Sequence, residues 1–312
     1  MLLDEGRALI VDGGTVRIAT EADLPALAGL IAAANRDPAT QCLHSETGGS
    51  EQAVYREMAS LHAAGELCAV LAAEGGRLVG ALGSEVDEGA GRGWLRGPFV
   101  VGGARPWQAT ATLLLDGLLA CLPAAIRRLD SFLNEANERG NAFYLAHGFR
   151  RVRLVHVYAV PAPAGGSPGA APLPTEVHPL AARAGEAPAF AALHDATFPT
   201  TWTTGEGILA RLGSEYHVLV HARGGQVLGY LVAGLEVGSG EGLVHFVGVR
   251  PDARRQGIGR GLLQTALHWF FAVKGVPWVN LTVDDDHANA RSLYESVGLA
   301  LRYTGLHTRR DL

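Results

Sequence analysis

The sequence predicts an α/β fold that occurs twice in one chain, each copy a mixed (α+β) sheet with helices on both faces. Three observations support this prediction. The chain has 312 residues, of which 48% are hydrophobic and 18% charged, enough for two domains of about 150 residues each. A segment rich in Pro and Gly, residues 161–174, divides the chain. The same order of strand and helix signals is present on both sides of that segment.

In the first copy, alternating apolar residues predict strands and amphipathic stretches predict helices. Gly75-Gly76 lies between two apolar stretches and predicts a hairpin turn. The predicted order is strand 16–19, helices 21–34 and 51–64, hairpin strands 67–73 and 77–86, strand 94–101, helix 108–121, strand 127–133, helix 137–147 and strand 150–160.

The second copy repeats this order, with its hairpin turn at Gly224-Gly225. The predicted elements are strand 176–179, helices 185–197 and 204–212, strands 217–222, 226–236 and 242–249, helix 258–273, strand 278–283, helix 288–298 and strand 301–307. The segment from Phe143 to Phe149 lies 150 positions before the similar segment from Leu293 to Leu299. We therefore expect a first domain over 1–160, a linker over 161–175 and a second domain over 176–312.

Composition excludes several classes of function. The net charge is −5 and the arginines are scattered without aromatic residues between them, so we expect no nucleic-acid partner. No apolar stretch reaches about 20 residues and the start lacks a basic, apolar leader, so we expect a cytoplasmic protein with no membrane partner. Cys42, Cys68 and Cys121 form no metal-ligand pair; we expect reduced, mostly buried thiols and no metal site.

The most informative stretch is Arg254-Arg255-Gln256-Gly257-Ile258-Gly259-Arg260, between a predicted strand and a predicted helix. Glycines allow close approach of the backbone, and the free amides of a helix start attract anions, so the stretch predicts a phosphate or pyrophosphate site. An ordinary strand-to-helix turn is the plain alternative. A nucleoside-triphosphate loop is excluded because its Lys and hydroxyl residue are missing. A dinucleotide site stays an outside alternative, since Leu262 stands where its third glycine belongs.

Two signatures together resemble the GNAT superfamily of acetyl-CoA-dependent N-acetyltransferases. The Q/R-x-x-G-x-G/A signature is present as 254–259. An Asn-containing turn followed by A-x-x-L-Y-E-x-x-G-F corresponds to 286–299, where Leu299 stands at the final position. Both halves resemble the family, so the resemblance implies a tandem protein, distantly similar to tandem acetyltransferases of the mycothiol synthase type. It implies acetyl-CoA as the acetyl donor, bound by Val247, Gly248, Val249, Arg254, Arg255, Gln256, Gly257, Ile258, Gly259, Arg260 and Asn289.

The resemblance implies that Tyr294 is the general acid for the leaving thiolate, with a core aromatic as the alternative. The general base is open. Many relatives have a glutamate where Leu243 stands, and His245 resembles the histidine of arylalkylamine acetyltransferases. On an extended strand, residues 243, 245 and 247 are expected to share a face. Glu236 and Glu241 are the fallback bases, acting through water.

We expect direct attack by the primary amine of a small molecule. A non-catalytic acyl-CoA-binding protein and an acetyltransferase for peptide or protein amines are the alternatives. Phe198 and Trp202 are expected to have a core or lid role, or else to stack on an apolar or aromatic amine. In the first domain Pro106 and Trp107 replace the open glycine turn, so we expect a degenerate site that binds acetyl-CoA poorly. The sequence leaves the oligomeric state open.

Overall fold

A computed structural model describes residues 8–11, 14–45, 50–164, 175–235, 240–285 and 288–312. The chain divides into two compact units, one of residues 1–155 and 303–312, the other of residues 156–302. Each unit contains a mixed sheet and helices, as the sequence predicts. Among the described helices, none is long and apolar enough to span a membrane.

The first described element of the first unit is a strand at Ala8–Val11, which pairs antiparallel with Gly14–Ile18 and is not predicted by the sequence. The elements of this unit are β1 (Ala8–Val11), β2 (Gly14–Ile18), α1 (Leu24–Ala34), α2 (Glu51–Ala64), β3 (Leu67–Glu74), β4 (Arg77–Asp87), β5 (Arg92–Val100), α3 (Trp107–Cys121), β6 (Arg128–Asn134), α4 (Glu138–Ala146) and the first part of β7 (Arg150–Pro161). Strands β1 to β6 are hydrogen-bonded in chain order, and the only parallel pair recorded among them is β5 with β6.

The second unit has the same order of elements. They are the end of β7, β8 (Val177–Pro179), α5 (Ala187–Thr197), α6 (Gly205–Leu209), β9 (His217–Arg223), β10 (Gln226–Leu235), β11 (Gly242–Val249), α7 (Ile258–His268), β12 (Trp278–Asp284), α8 (Ala288–Glu295) and the start of β13 (Ala300–Asp311). The predicted helix 258–273 is divided, because residues after 268 wind into a π-helical segment, Trp269–Lys274.

Helices cover both faces of the sheet in the second unit. On one face, α7 buries Leu262, Leu263 and Ala266 against Leu219 and Leu231. On the other face, α5 and α6 bury Phe190 and Ile208 in a second cluster, together with Val218, Val220 and Val232. Neighbouring residues of β9 thus point to opposite cores, which is the two-residue period of a strand. The predicted fold class is therefore confirmed.

The limits of the two units differ from the predicted domain boundaries at β7 and β13. Residues 303–312 belong to the first unit, where β13 pairs antiparallel with β6 from Gly305 opposite Asn134 to Asp311 opposite Arg128. Residues 156–160 belong to the second unit, where β7 is next to β12. Each unit thus takes a strand segment from the other half of the sequence. An alternating pattern predicts a strand without saying which sheet receives it.

A buried charge cluster fixes β13 in the first unit. Nε2 of His307 and Nε of Arg309 both donate to Oδ1 of Asp130, at 2.6 and 2.7 Å. Asp130 is fully buried and lies on β6. A carboxylate in such a place needs partners, because an unpaired buried charge is costly. Strand β13 therefore supplies hydrogen-bond donors that the buried Asp130 requires.

Candidate active site

Strand β11 of the second unit contains a bulge. In the register of β10 with β11, Val232 is opposite Phe246 and the next residue, Ala233, is opposite Val244. His245 is therefore an extra residue in β11, and the face of each following side chain is reversed. The expectation that residues 243, 245 and 247 share a face is wrong for this reason. Val247 packs with the core of α7, whereas the ring of His245 contacts Trp202 and Tyr216.

The ring of His245 lies against β10 among aromatic residues. A Cβ atom at Gly234 would be 2.6 Å from Nε2 of His245, so the absence of a side chain there makes room for the ring. Ring centroids of Tyr216 and Trp202 lie 5.3 and 6.0 Å away. Burial, and after it the positive charge of Arg211, lowers the pKa of His245 below its usual value of 6.5. His245 is therefore neutral at pH 7 and can accept a proton.

The pairing of β11 with β12 ends next to the bulge. The parallel pairing of β11 with β12 covers only residues 242–244 of β11, opposite 279–281. Beyond this point, β11 continues to Val249 with no recorded pairing to β12 in the described chain. Val247 and Val249 thus lie on the stretch where a ligand's polar groups could take the place of a neighbouring strand.

Tyr294 on α8 has a largely buried ring and a hydroxyl group without a recorded hydrogen bond in the part of the chain that the structure describes. The residue is 9% exposed, and its ring centroid lies 5.9 Å from that of Tyr158 on β7. Burial raises the pKa of Tyr294 to about 12. The phenol therefore keeps its proton at neutral pH and can donate it.

The predicted anion site is a turn that leads into α7. Arg255 and Gly257 both have left-handed backbone conformations, with φ of 61° and 80°. Gly257 is the N-cap of α7, and no side chain caps the free amides of the first turn. A Cβ atom at Gly257 would meet nothing within 4 Å, so the space in front of those amides is open.

The charged side chains of this turn complete the site. Within the described chain, Arg255 and Arg260 have no recorded hydrogen bond or ion pair. Arg254 donates from Nε to the carbonyl oxygen of Val249 at 3.2 Å, and Gln256 donates to the carbonyl oxygen of Asp252 at 3.5 Å. Free amides, a helix dipole and unpaired guanidinium groups together favour a pyrophosphate.

Two glycines of the predicted site also have packing roles. A Cβ atom at Gly248 would lie 2.4 Å from the ring of Tyr230, so this glycine makes room for a core aromatic. A Cβ atom at Gly259 would lie 3.0 Å from Cδ2 of Leu293, so Gly259 allows α7 to pack closely on α8. One glycine of the signature at 254–259 is thus required for helix packing.

The remaining predicted site residues are distributed as follows. Ile258 is buried in the core beneath the first turn of α7. Asn289 lies in the first turn of α8, and its side chain is outside the described residues. Glu236 also lies outside the described residues. Glu241 accepts a hydrogen bond from Nδ2 of Asn280 at 2.8 Å and lies 3.7 Å from Arg302, so it is already paired.

The first unit has a different arrangement at the equivalent positions. Its turn before α3 has a carboxylate on its amides, because the N–H of Ala104 donates to Oε2 of Glu74 at 2.6 Å. Pro106 is the N-cap, and Trp107 packs at the first helical position against Phe143. One amide of this turn is thus already occupied by a carboxylate of the first unit itself.

The equivalents of the two candidate catalytic residues are also paired in the first unit. Tyr144 is fully buried, and its hydroxyl donates to the carbonyl oxygen of Gly97 at 2.8 Å. Arg96 follows the same parallel strand segment as His245 and forms ion pairs with Glu57 and Glu85, each at 2.8 Å. Neither group is free to exchange a proton with a substrate.

The tandem α/β fold and the candidate anion site at the start of α7 can be compared with those of known proteins. Residues 187–299 match the acetyltransferase (GNAT) family. The GCN5-related N-acetyltransferase from Sphaerobacter thermophilus has a similar structure, with a TM-score of 0.71 and 22% identity over 97% of both chains. A tandem GNAT protein from the clavulanic acid biosynthesis pathway has a TM-score of 0.61 and 16% identity, over 95% of this chain and 98% of that one.

Curated relatives match over shorter segments. The mycothiol acetyltransferase of Nocardiopsis dassonvillei is 44% identical over 69 residues, 22% of this chain and 21% of that protein. The mycothiol acetyltransferase of Streptomyces avermitilis is 35% identical over 89 residues, 28% of this chain and 29% of that protein. The matches thus span less than a third of these relatives. The predicted GNAT resemblance is confirmed: residues 187–299 of the second unit match the GNAT family model, and the whole chain has the fold of tandem GNAT structures.

Proposed function

We propose that this chain is an acetyl-CoA-dependent N-acetyltransferase whose second unit acts on the primary amine of a small molecule. The observation that carries the proposal is the open turn at Arg255–Arg260, directly beside the part of β11 that leaves β12. The turn suits the pyrophosphate of acetyl-CoA, and the stretch of β11 without recorded pairing to β12 suits its extended arm. The GNAT match over residues 187–299 supports the same donor.

The proposed chemistry uses two groups of the second unit. The neutral amine attacks the thioester carbon, and the carbon–sulfur bond breaks as the acetamide forms. His245 accepts the proton that the amine loses, directly or through water, and Tyr294 donates a proton to the CoA thiolate. A histidine that is neutral at pH 7 and a tyrosine that is protonated have the required states.

We further propose that the first unit does not bind acetyl-CoA. Glu74 would repel a pyrophosphate from the amide of Ala104, and Trp107 adds bulk at the start of α3. The hydroxyl of Tyr144 is already donated to Gly97. One acetyl-CoA molecule per chain is the expected stoichiometry.

Calorimetric titration with acetyl-CoA tests the proposed donor site. Gly257→Trp fills the space before the amides of α7, so we expect binding to weaken by at least about 100-fold, equivalent to about 2.7 kcal/mol. Gly275→Trp is the matched control, because Gly275 also has a positive φ, 66°, and open space around its Cβ position. Equal affinity of the two variants, or no binding by the wild type, would contradict the proposal.

A further inference from the structure

The second unit has an exposed tryptophan next to His245. Trp202 is 62% exposed, so its ring is not a core residue. The ring centroid lies 5.5 Å from that of Phe246 at an interplanar angle of 31°, and 6.0 Å from that of His245. Tyr216 is next to both His245 and Trp202, at 5.3 and 6.4 Å. We call Trp202, Tyr216, His245 and Phe246 the aromatic wall.

The segment that carries Trp202 is held in place on its C-terminal side. Nε2 of the buried His194 donates to the carbonyl oxygen of Thr203 at 3.2 Å, while Nδ1 accepts from the hydroxyl of Tyr230 at 2.9 Å. The carboxylate of Asp195 accepts from the N–H of Gly205 at 2.7 Å. Adjacent residues of α5 thus fix the chain directly after Trp202.

A third contact comes from Arg211. Its guanidinium donates to the hydroxyl of Thr203 at 3.1 Å and lies 5.0 Å from the ring centroid of Tyr216. Arg211 also pairs with Glu215 at 3.3 Å, so its charge is largely compensated. Within the described residues, Arg211 and its partner Glu215 are the charged side chains next to the rings of the aromatic wall.

An exposed aromatic ring on a fixed segment is a pre-organised recognition surface, because little conformational entropy is lost when a ligand stacks on it. The wall includes the histidine that would take the proton, so a ring stacked on Trp202 would bring its attached amine close to His245. A charged or strongly polar ligand would find no unpaired charge in the wall. A flat, uncharged ring is the ligand body that fits these groups best.

We propose that Trp202 determines acceptor specificity, and that the acceptor carries its primary amine on a short chain attached to an aromatic ring. This inference depends on the proposed acetyltransferase function. Stacking on Trp202 positions the amine nitrogen for attack and does not change the bonds that form or break. Trp202 is a specificity-determining residue, and His245 remains the proton acceptor.

The test compares 2-phenylethylamine with n-hexylamine, two primary alkylamines of which only the first has a ring. The measurement is CoA release by the full chain, followed with a thiol reagent under saturating acetyl-CoA. We expect the wild type to prefer 2-phenylethylamine in kcat/KM. Trp202→Leu should lower kcat/KM for 2-phenylethylamine by about tenfold or more and that for n-hexylamine by less than about threefold. Trp202→Phe should restore most of the preference.

Trp278→Leu is the matched control. Trp278 is also partly exposed in the second unit, at 38%, but lies beneath Arg302 rather than in the aromatic wall. Its substitution should leave the preference unchanged. If Trp202→Leu lowers both activities equally, or if the wild type shows no preference, the inference is wrong and the acetyltransferase proposal stands. If neither amine yields CoA although acetyl-CoA binds, the inference is wrong and the acetyltransferase proposal stands; failure of the wild type to bind acetyl-CoA is the result that contradicts the acetyltransferase proposal.

Discussion

Two tyrosines at equivalent positions differ in what their hydroxyl groups contact. Tyr144 donates to Gly97 in the first unit, whereas Tyr294 has a pKa of about 12 and no recorded hydrogen bond within the described chain. The same residue at the same point of the repeat is therefore structural in one unit and available for proton transfer in the other. Sequence alone cannot make this distinction, because Tyr144 is bonded to a backbone carbonyl from another strand.

Phenylalanine substitutions separate the two roles. Tyr294→Phe should lower kcat by about 100-fold, the usual contribution of a general acid, with the affinity for acetyl-CoA within about twofold of the wild type. Tyr144→Phe should leave kcat unchanged and cost about 1 kcal/mol of stability for the lost hydrogen bond. Steady-state kinetics and urea unfolding of both variants are the measurements. Equal kcat values for the two variants would exclude Tyr294 as the acid.

His221 links stability to pH. It is 5% exposed on β9, and neither ring nitrogen has a hydrogen-bond partner in the described structure. Burial lowers the pKa of His221 below its unfolded value of 6.5. The unfolded chain therefore binds a proton that the folded chain does not, and the stability present above pH 6.5 is lost as the pH falls toward the folded pKa.

Two substitutions of His221 test this linkage by urea unfolding at pH 7.5 and pH 5.5. His221→Leu should raise the free energy of unfolding at pH 7.5 by about 1–2 kcal/mol, because an unpaired buried polar group is removed. His221→Gln keeps a polar group and should give no such gain. Both should lose less stability than the wild type at pH 5.5. An unchanged loss at pH 5.5 in both variants would show that His221 does not titrate in this range.

At the scale of single elements, the sequence predicted the turn before α7 well and the faces of β11 poorly. The turn was predictable because Gly257 and three arginines are local signals. The bulge at His245 was not predictable from the sequence. Val244 and Phe246 are both apolar and buried, as in a regular strand, although they belong to different clusters. Likewise, the exposure of Trp202 depends on contacts of α5 that lie beyond any local pattern.

Helix α3 and strand β3 carry a pair of cysteines that is suited to cross-linking. Sγ of Cys68 and Sγ of Cys121 lie 3.1 Å apart, and the residues are 53 positions apart in sequence. With diamide as the oxidant, the two thiols give up two protons and two electrons, the reagent becomes the hydrazine, and one disulfide forms. Closing a loop of this length should stabilise the first unit by about 2–4 kcal/mol.

Thiol titration and peptide mass spectrometry measure this outcome. After diamide treatment we expect one titratable thiol in the denatured chain, Cys42, and a linked pair of peptides containing Cys68 and Cys121. Cys68→Ser is the control and should gain no stability on oxidation. Three titratable thiols after prolonged treatment would contradict the prediction.

At the scale of the whole molecule, the duplication was predictable and the exchange of strand segments was not. The repeated order of elements shows in the sequence, since each copy has its own apolar periodicities. The pairing of β13 with β6 joins residues such as Thr308 and Ser131, 177 positions apart, whose hydroxyl groups lie 2.8 Å from each other. No local sequence pattern indicates a contact between residues so far apart in the chain.

A comparison of fragments tests the exchange. Residues 1–160 alone should fail to unfold cooperatively. Without residues 303–312, Asp130 either is buried without its donors His307 and Arg309 or stays in water, in which case β6 does not pack in its native place. Residues 1–160 joined through a flexible linker to residues 300–312 should unfold in one cooperative transition, and the same fusion with a scrambled 300–312 segment should not. Urea unfolding monitored by circular dichroism distinguishes them. Cooperative unfolding of 1–160 alone would mean that the first unit does not need the final strand.

The exchanged strand also sets a time order for biosynthesis. Ordinarily an N-terminal domain folds while the ribosome is still adding the next one. Here the edge of β6 has no partner until residues 305–311 have been synthesised and have left the exit tunnel. While the second unit is being synthesised, the first unit therefore presents an open strand edge, the kind of surface that chaperones protect and that neighbouring nascent chains can join.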